Sequence, residues 1–238
     1  MNLFKRTLII TPHFDDETIG CGGLMSSLSM NPDNQIKVVV VATNKSTYNY
    51  NVNRVVNNDE RKLESINALA ELGVPKESLI QLDGFEDGRL DMCDRKSLVT
   101  VLDSIIRTFK PTAVLFPYSS HHQDHQAVYQ ASIAALRPTV STNFIQLKAM
   151  YEYPYVTSWS SSVNPDSKLY YPLSKLDIAR KEAALKAYKS QLVRDPRDIL
   201  DVSSIINLAK VRGTEIGHDY AEAFYPMTII ARDCYGDQ

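Results

Sequence analysis

The sequence predicts an α/β fold in which an open, mostly parallel sheet carries helices on both faces. Two observations predict it. Apolar, β-branched runs alternate along the chain with segments of helical periodicity. The runs are also continuous rather than alternating with polar residues, as expected of strands buried on both faces.

Residues 7–11 form the first run and residues 36–42 (IKVVVVA) a stronger second one. Between them, residues 18–29 read as a helix entered through acidic residues, which suit the positive end of a helix dipole. Residues 59–73 form the clearest helix, with Leu63, Ile66, Leu69 and Leu72 at helical spacing and Gly73 as its stop. The stretch 48–58 is rich in Asn and Tyr and reads as a loop at a sheet edge. A short strand at 78–82, a helix at 96–109, a strand at 113–116 and a helix at 126–136 continue the alternation. Beyond about residue 140 the rhythm loosens. A strand at 147–152, a Ser-rich surface loop or lid at 157–167, helices at 177–191 and 199–211 and a closing strand at 227–231 are expected there. No repeat or low-complexity linker interrupts the chain, so residues 1–238 read as one domain whose part from about 140 to 238 is the more variable.

Composition excludes several classes of function. Twenty-six basic residues stand against 28 acidic ones, a net charge of −2, which argues against nucleic acid or an anionic membrane as the main partner. The three cysteines include no CxxC pair, which disfavours a disulfide framework or a thiolate zinc site. No apolar run approaches the roughly 18–20 residues of a membrane-spanning helix. The apolar stretch after Lys5 and Arg6 is too short for a signal-peptide core. A cytoplasmic protein acting on a small molecule is the expectation, with a homo-oligomer left open.

Histidine is the scarce residue, and four of the five fall into two short stretches. The first is Pro12-His13-Phe14-Asp15-Asp16-Glu17, directly after the first strand. In open α/β sheets, loops at the carboxyl ends of strands build the site. A His and an Asp three residues apart there can converge on one metal ion, while a neighbouring carboxylate stays free to handle protons. An acidic triplet at a helix start also serves as cap and dipole complement, so spacing alone leaves both readings open. The second stretch, His121-His122-Gln123-Asp124-His125, repeats this placement after the strand at 113–116. If the two strands are neighbours, His13, Asp16 and His125 give a His/Asp/His set with one open position, the layout of catalytic zinc. Asp124 would then orient a histidine from behind.

The segment PHFDDETIGCGG (12–23) resembles the PHPDDE…GCGG opening of the PIG-L/LmbE-like family of zinc-dependent N-deacetylases. His122-Gln123-Asp124-His125 looks like that family's HxDH motif. Arg61, Glu64, Ala68 and Leu72-Gly73-Val74 resemble an RxxExxxAxxxLGV helix, and Asp87-Gly88-Arg89-Leu90 a DGxL turn. Lys181 with Tyr188-Lys189-Ser190-Gln191 is similar to a KxxALxxYxSQ helix, and 220–224 to an AEAF signature. Ordered similarities thus run from residue 12 to residue 224.

The resemblance implies a Rossmann-like three-layer αβα fold without a dinucleotide. It implies one Zn2+ per chain on His13, Asp16 and His125, with other divalent metals admissible. Asp15 would be the general base, and His122 would stabilise the oxyanion or protonate the leaving amine. Asp124 would position its neighbouring histidines, while Arg61 and Asp87 would hold substrate hydroxyls. The implied reaction removes acetyl from an N-acetylated amino sugar of N-acetylglucosamine type. An amidase acting on a thiol–sugar conjugate is the alternative.

Two departures from the family pattern stand out. Phe14 replaces the motif's second proline and is expected at the mouth of the site, against substrate. Ser120 stands where some members carry an oxyanion-binding Tyr, leaving Tyr118 or His121 as substitutes. The glycines of 20–23 fall short of a GxGxxG nucleotide loop because Met25 occupies the last position. Close helix–strand packing explains them better. Tyr151, Tyr153 and Tyr155 alternate, either toward a sugar or into the sheet, and Trp159 is a candidate lid aromatic.

Overall fold

Strand β1 (Arg6–Thr11) buries every residue after Arg6, which leaves it no wet face and places it at the centre of a sheet. Its side chains alternate between two cores. Ile9 joins Leu24, Leu69 and Leu185 on one face, and Leu8 and Ile10 join Leu102 and Val128 on the other. The computed structural model describes residues 2–43, 46–49, 52–154, 167–192 and 194–231.

In chain order, β1 is followed by α1 (Asp16–Ser29), β2 (Gln35–Val40), β3 (Ser46–Asn49), β4 (Arg54–Asn57), α2 (Asn58–Glu71) and β5 (Leu79–Gln81). Then come α3 (Arg95–Phe109), β6 (Ala113–Pro117), α4 (Gln123–Ala135), β7 (Leu147–Tyr151) and β8 (Leu169–Leu173). The helices α5 (Lys175–Ala187) and α6 (Val202–Thr214) precede the last strand, β9 (Tyr220–Ile229). Seven strands form one sheet in the order β5-β2-β1-β6-β7-β9-β8. All pairings from β5 to β7 are parallel, and β9 alone runs against its neighbours. Helices α1, α2 and α5 pack together over one face, and α3 packs with α4 over the other. The expected three-layer αβα architecture is present.

The chain moves outward from β1 to β2 and β5, then crosses back to β6 and β7. This reversal opens a crevice between the carboxyl ends of β1 and β6, where such folds place ligands. Both histidine clusters leave those two strand ends.

The glycines in the middle of α1 serve packing. A Cβ on Gly20 would lie 2.3 Å from Tyr151 Cδ2, and one on Gly23 would lie 2.4 Å from Leu173 Cδ1. Helix α1 therefore approaches the sheet more closely than any residue with a side chain allows.

Three expectations need correction. Residues 48–49 and 54–57 are strand rather than loop: β3 and β4 pair antiparallel, and Asn57 caps α2 by accepting from the Glu60 amide. Helix α4 starts at Gln123 rather than 126, because His122 Nδ1 accepts from the Asp124 amide and caps it. The closing strand begins at Tyr220, seven residues before the expected 227, and β8 was not foreseen. Helix-favouring Ala-Glu-Ala and two prolines hide these strands from a propensity reading. Pairing overrides it, and Pro226 is tolerated beside a register shift in β7. Tyr155, Trp159 and all but the last residue of the expected 157–167 loop lie outside the described residues. No helix among the described residues is long and apolar enough to cross a membrane.

Candidate metal centre and active site

The turn after β1 carries the largest positive φ among the described non-glycine residues. Asp15 has φ 110° and ψ −35°, a region that costs a residue with a Cβ on the order of 1–3 kcal/mol. Asp15 occupies the N-cap position of α1, yet its side chain makes no capping bond. The Asp15 amide instead donates to Glu17 Oε2 at 3.1 Å. The capping reading of the acidic triplet therefore fails for Asp15, whose carboxylate is left for other work.

Asp16, on the first turn of α1, is fully buried and faces both histidine clusters. Its Oδ2 lies 3.2 Å from His13 Nδ1 and 3.3 Å from His125 Nε2, and it accepts the His13 amide at 3.0 Å. One donor atom from each of His13, Asp16 and His125 falls within 4.8 Å of the others. The opposite edge of the His13 ring, Nε2, lies 2.9 Å from Asp124 Oδ2 and 3.4 Å from Asp87 Oδ1. A proton on Nε2 satisfies Asp124 and leaves the Nδ1 lone pair pointing at Asp16 Oδ2. Two acceptors at that separation need a proton or a cation between them.

Asp124 holds the two halves of the site together. Besides His13, it accepts the Gly88 amide at 2.6 Å and the Leu90 amide at 2.9 Å. Its partner is thus the distant His13 rather than its sequence neighbours, a correction to the expectation; toward His122 it offers only its backbone amide. Asp87 bridges His13 to Arg61, whose NH1 lies 2.5 Å from Asp87 Oδ2. The His122 ring stands 5.1 Å, centroid to centroid, from both His13 and His125.

Charge explains the protonation states. Burial alone would lower the His13 imidazole, but the carboxylates of Asp124, Asp16 and Asp87 outweigh it and hold it well above its usual value. Burial would raise Asp16, yet His125 and His13 keep its carboxyl below the ordinary range. Asp15 has no such support: burial and the neighbouring Asp16 charge push it well up. Burial, then His13 and His125, lower His122 to about 4.

The donor set fits a divalent cation. Asp16 Oδ1 and His125 Nδ1 are buried with no hydrogen-bond partner, an expensive state for a carboxylate oxygen that coordination would relieve. Two imidazoles and one carboxylate are donors suited to zinc and to several other first-row ions.

Several expected residues stand elsewhere. Phe14 is not at the mouth of the site; its apolar ring is buried in the core cluster that also holds Ile19 and Leu24, where burial is favourable. Ser120 Oγ accepts the His122 amide at 3.3 Å, and Tyr118 packs edge-on against Tyr225. His121 is exposed. Tyr151 is core, whereas Tyr153 lays its ring 4.6 Å from that of His125. Nothing in the spacing singled out Tyr153 from its two alternating neighbours.

Comparison with known proteins agrees with this geometry. The family model described as "PIG-L: GlcNAc-PI de-N-acetylase" matches residues 8–136, more than half of the chain and all nine residues expected at the site. The "Uncharacterized deacetylase YaiS" of Escherichia coli (strain K12) is 31% identical over 195 residues, covering 79% of this chain and 93% of that protein. The "Probable N-acetyl-alpha-D-glucosaminyl L-malate deacetylase 2" of Bacillus subtilis (strain 168) is 30% identical over 140 residues. That match covers 56% of this chain and spans 61% of the relative's length. Among solved structures, the A40926 pseudoaglycone deacetylase Dbv21 superposes with a TM-score of 0.73 at 21% identity, covering 97% of this chain and all of that one.

Proposed function

Since the chain belongs to the PIG-L family, we propose that it is a metal-dependent hydrolase that removes acetyl from an N-acetylated amino sugar, of N-acetylglucosamine type, or its conjugate. The observation that carries the reading is the convergence of His13, Asp16 and His125 beside a carboxylate, Asp15, that no capping bond engages. The named activities of the Bacillus relative and of Dbv21 support the acetyl group as the one removed.

His13, Asp16 and His125 would hold one Zn2+ per chain, which when bound supplies Lewis acidity toward water and the amide carbonyl. Asp15 acts as general base. Its raised pKa suits it to take a proton from the attacking water and return it to the departing nitrogen. His122 acts as an oxyanion donor. Its Nδ1 accepts from the Asp124 amide, so the neutral ring carries its proton on Nε2. With a pKa near 4, the ring is neutral at physiological pH and donates without charge. Asp124 fixes the His13 ring. Arg61 and Asp87, already paired, form the wall against which substrate hydroxyls are held. Acetate and a free amine leave.

The test incubates zinc-loaded protein with a panel of N-acetylated sugars and reads acetate release and the mass loss of one acetyl group. Release from at least one N-acetylglucosamine derivative, abolished by a chelator, is expected. Metal-loaded protein that hydrolyses none of the panel overturns the reading.

A further inference from the structure

We propose that Tyr188, at the end of α5, is a positioning residue for Asp15: acting through Glu17, it holds the Asp15 peptide in its left-handed conformation. The inference deepens the reading of Asp15 as general base and rests on it.

The chain of contacts starts from the strained turn. At φ 110° the Asp15 turn needs a hold, and the Asp15 amide finds one two residues on, in Glu17 Oε2 at 3.1 Å. Glu17 is itself wholly buried, two residues into α1, where a carboxylate with one free oxygen would swing between rotamers. Its second oxygen is fixed from two other helices. The Tyr188 hydroxyl donates to Glu17 Oε1, Ser65 Oγ of α2 donates at 3.4 Å, and Thr18 Oγ1 adds a contact at 3.3 Å. Tyr188 is 1% exposed, and its own amide is tied to Leu185 O, so its hydroxyl is delivered from a fixed point.

The consequence reaches the chemistry. A helix N-cap side chain ordinarily accepts from its own helix and is consumed by doing so. Here the amide of the N-cap residue is served by Glu17, and the Asp15 carboxylate makes no capping bond. Loosening the hold would let the turn relax toward ordinary dihedrals and swing the carboxylate away from His13 and Asp16. A displacement of about 1 Å in such a group costs up to roughly 100-fold in rate.

The experiment compares wild type with Tyr188→Phe, Glu17→Ala and the double variant, all metal-loaded. Amide hydrogen exchange at Asp15, read by NMR, should accelerate in Tyr188→Phe, while the middle of α1 keeps its protection. On an N-acetylated sugar, kcat should fall about 10-fold with KM within about twofold. The double variant should be no slower than Glu17→Ala alone, because Tyr188 acts through Glu17. Unchanged Asp15 exchange in Tyr188→Phe, or effects that multiply in the double variant, overturns the proposal. A loss confined to thermal stability, with kcat per folded molecule at the wild-type value, overturns it as well. If Glu17→Ala does not fold, exchange in Tyr188→Phe decides alone. Wild type inactive on every substrate refutes the deacetylase reading by itself, and the exchange measurement still judges the hold on Asp15.

Discussion

The turns leaving β1 and β6 reach the same crevice by opposite means. After β6, the chain enters α4 in ordinary fashion: His122 has extended dihedrals and its ring nitrogen caps the helix. After β1, Asp15 sits at φ 110°, makes no side-chain cap, and its amide is held by the buried Glu17, itself fixed from other helices. One turn obeys local helix rules and places a candidate oxyanion donor by means of them. The other breaks those rules and depends on contacts from α2 and α5. A turn of the first kind keeps its shape wherever its helix forms, whereas the second exists only inside the assembled fold.

Substitutions can separate the two turns. Asp15→Asn should have the largest effect, lowering kcat by about 100- to 10,000-fold while zinc stays bound, as read by turnover and metal analysis. Asn accepts a positive φ, so the melting temperature should hold. His122→Ala should cost about 100- to 1,000-fold in kcat and, unlike the first, about 1 kcal/mol of stability through the lost cap. Equal stability losses in these two variants would erase the distinction between the turns. Asp124→Asn removes the charge that orients His13 and should weaken zinc affinity by about 10- to 100-fold in a competition titration. Phe14→Ala should leave KM unchanged and cost about 3–5 kcal/mol in denaturant unfolding, because the ring packs in the core. A raised KM there would return Phe14 to the substrate.

The legibility of the two turns differs in the same way. Their residues were visible in the sequence because His13, Asp16, Asp124 and His125 follow strand ends, and strand ends were marked by continuous apolar runs. That His13 pairs with Asp124 across 111 positions was not visible, since nothing local fixes which edge of a ring faces which carboxylate. Phe14 is hard to place from sequence because its neighbours on both sides are candidate site residues, and a single peptide turn decides whether a ring faces in or out. The parallel half of the sheet was readable from its Val and Ile content. Strands β8 and β9 were not, because LYYPL and YAEAFYPMTI become strands only by pairing with each other and with β7.

The place of β9 bears on how the chain comes off the ribosome. Every residue assigned to the chemistry lies before position 126, and the parallel strands that position them end at Tyr151. Yet β7, already paired with β6, meets its second partner only when residues 220–229 emerge, and β8 has no other neighbour in the sheet. Until then the growing chain presents open strand edges, the template on which unfinished chains pair with one another. A nascent chain therefore carries its whole set of candidate reacting groups from residue 125 onward, well before the strand that closes the sheet arrives at Tyr220.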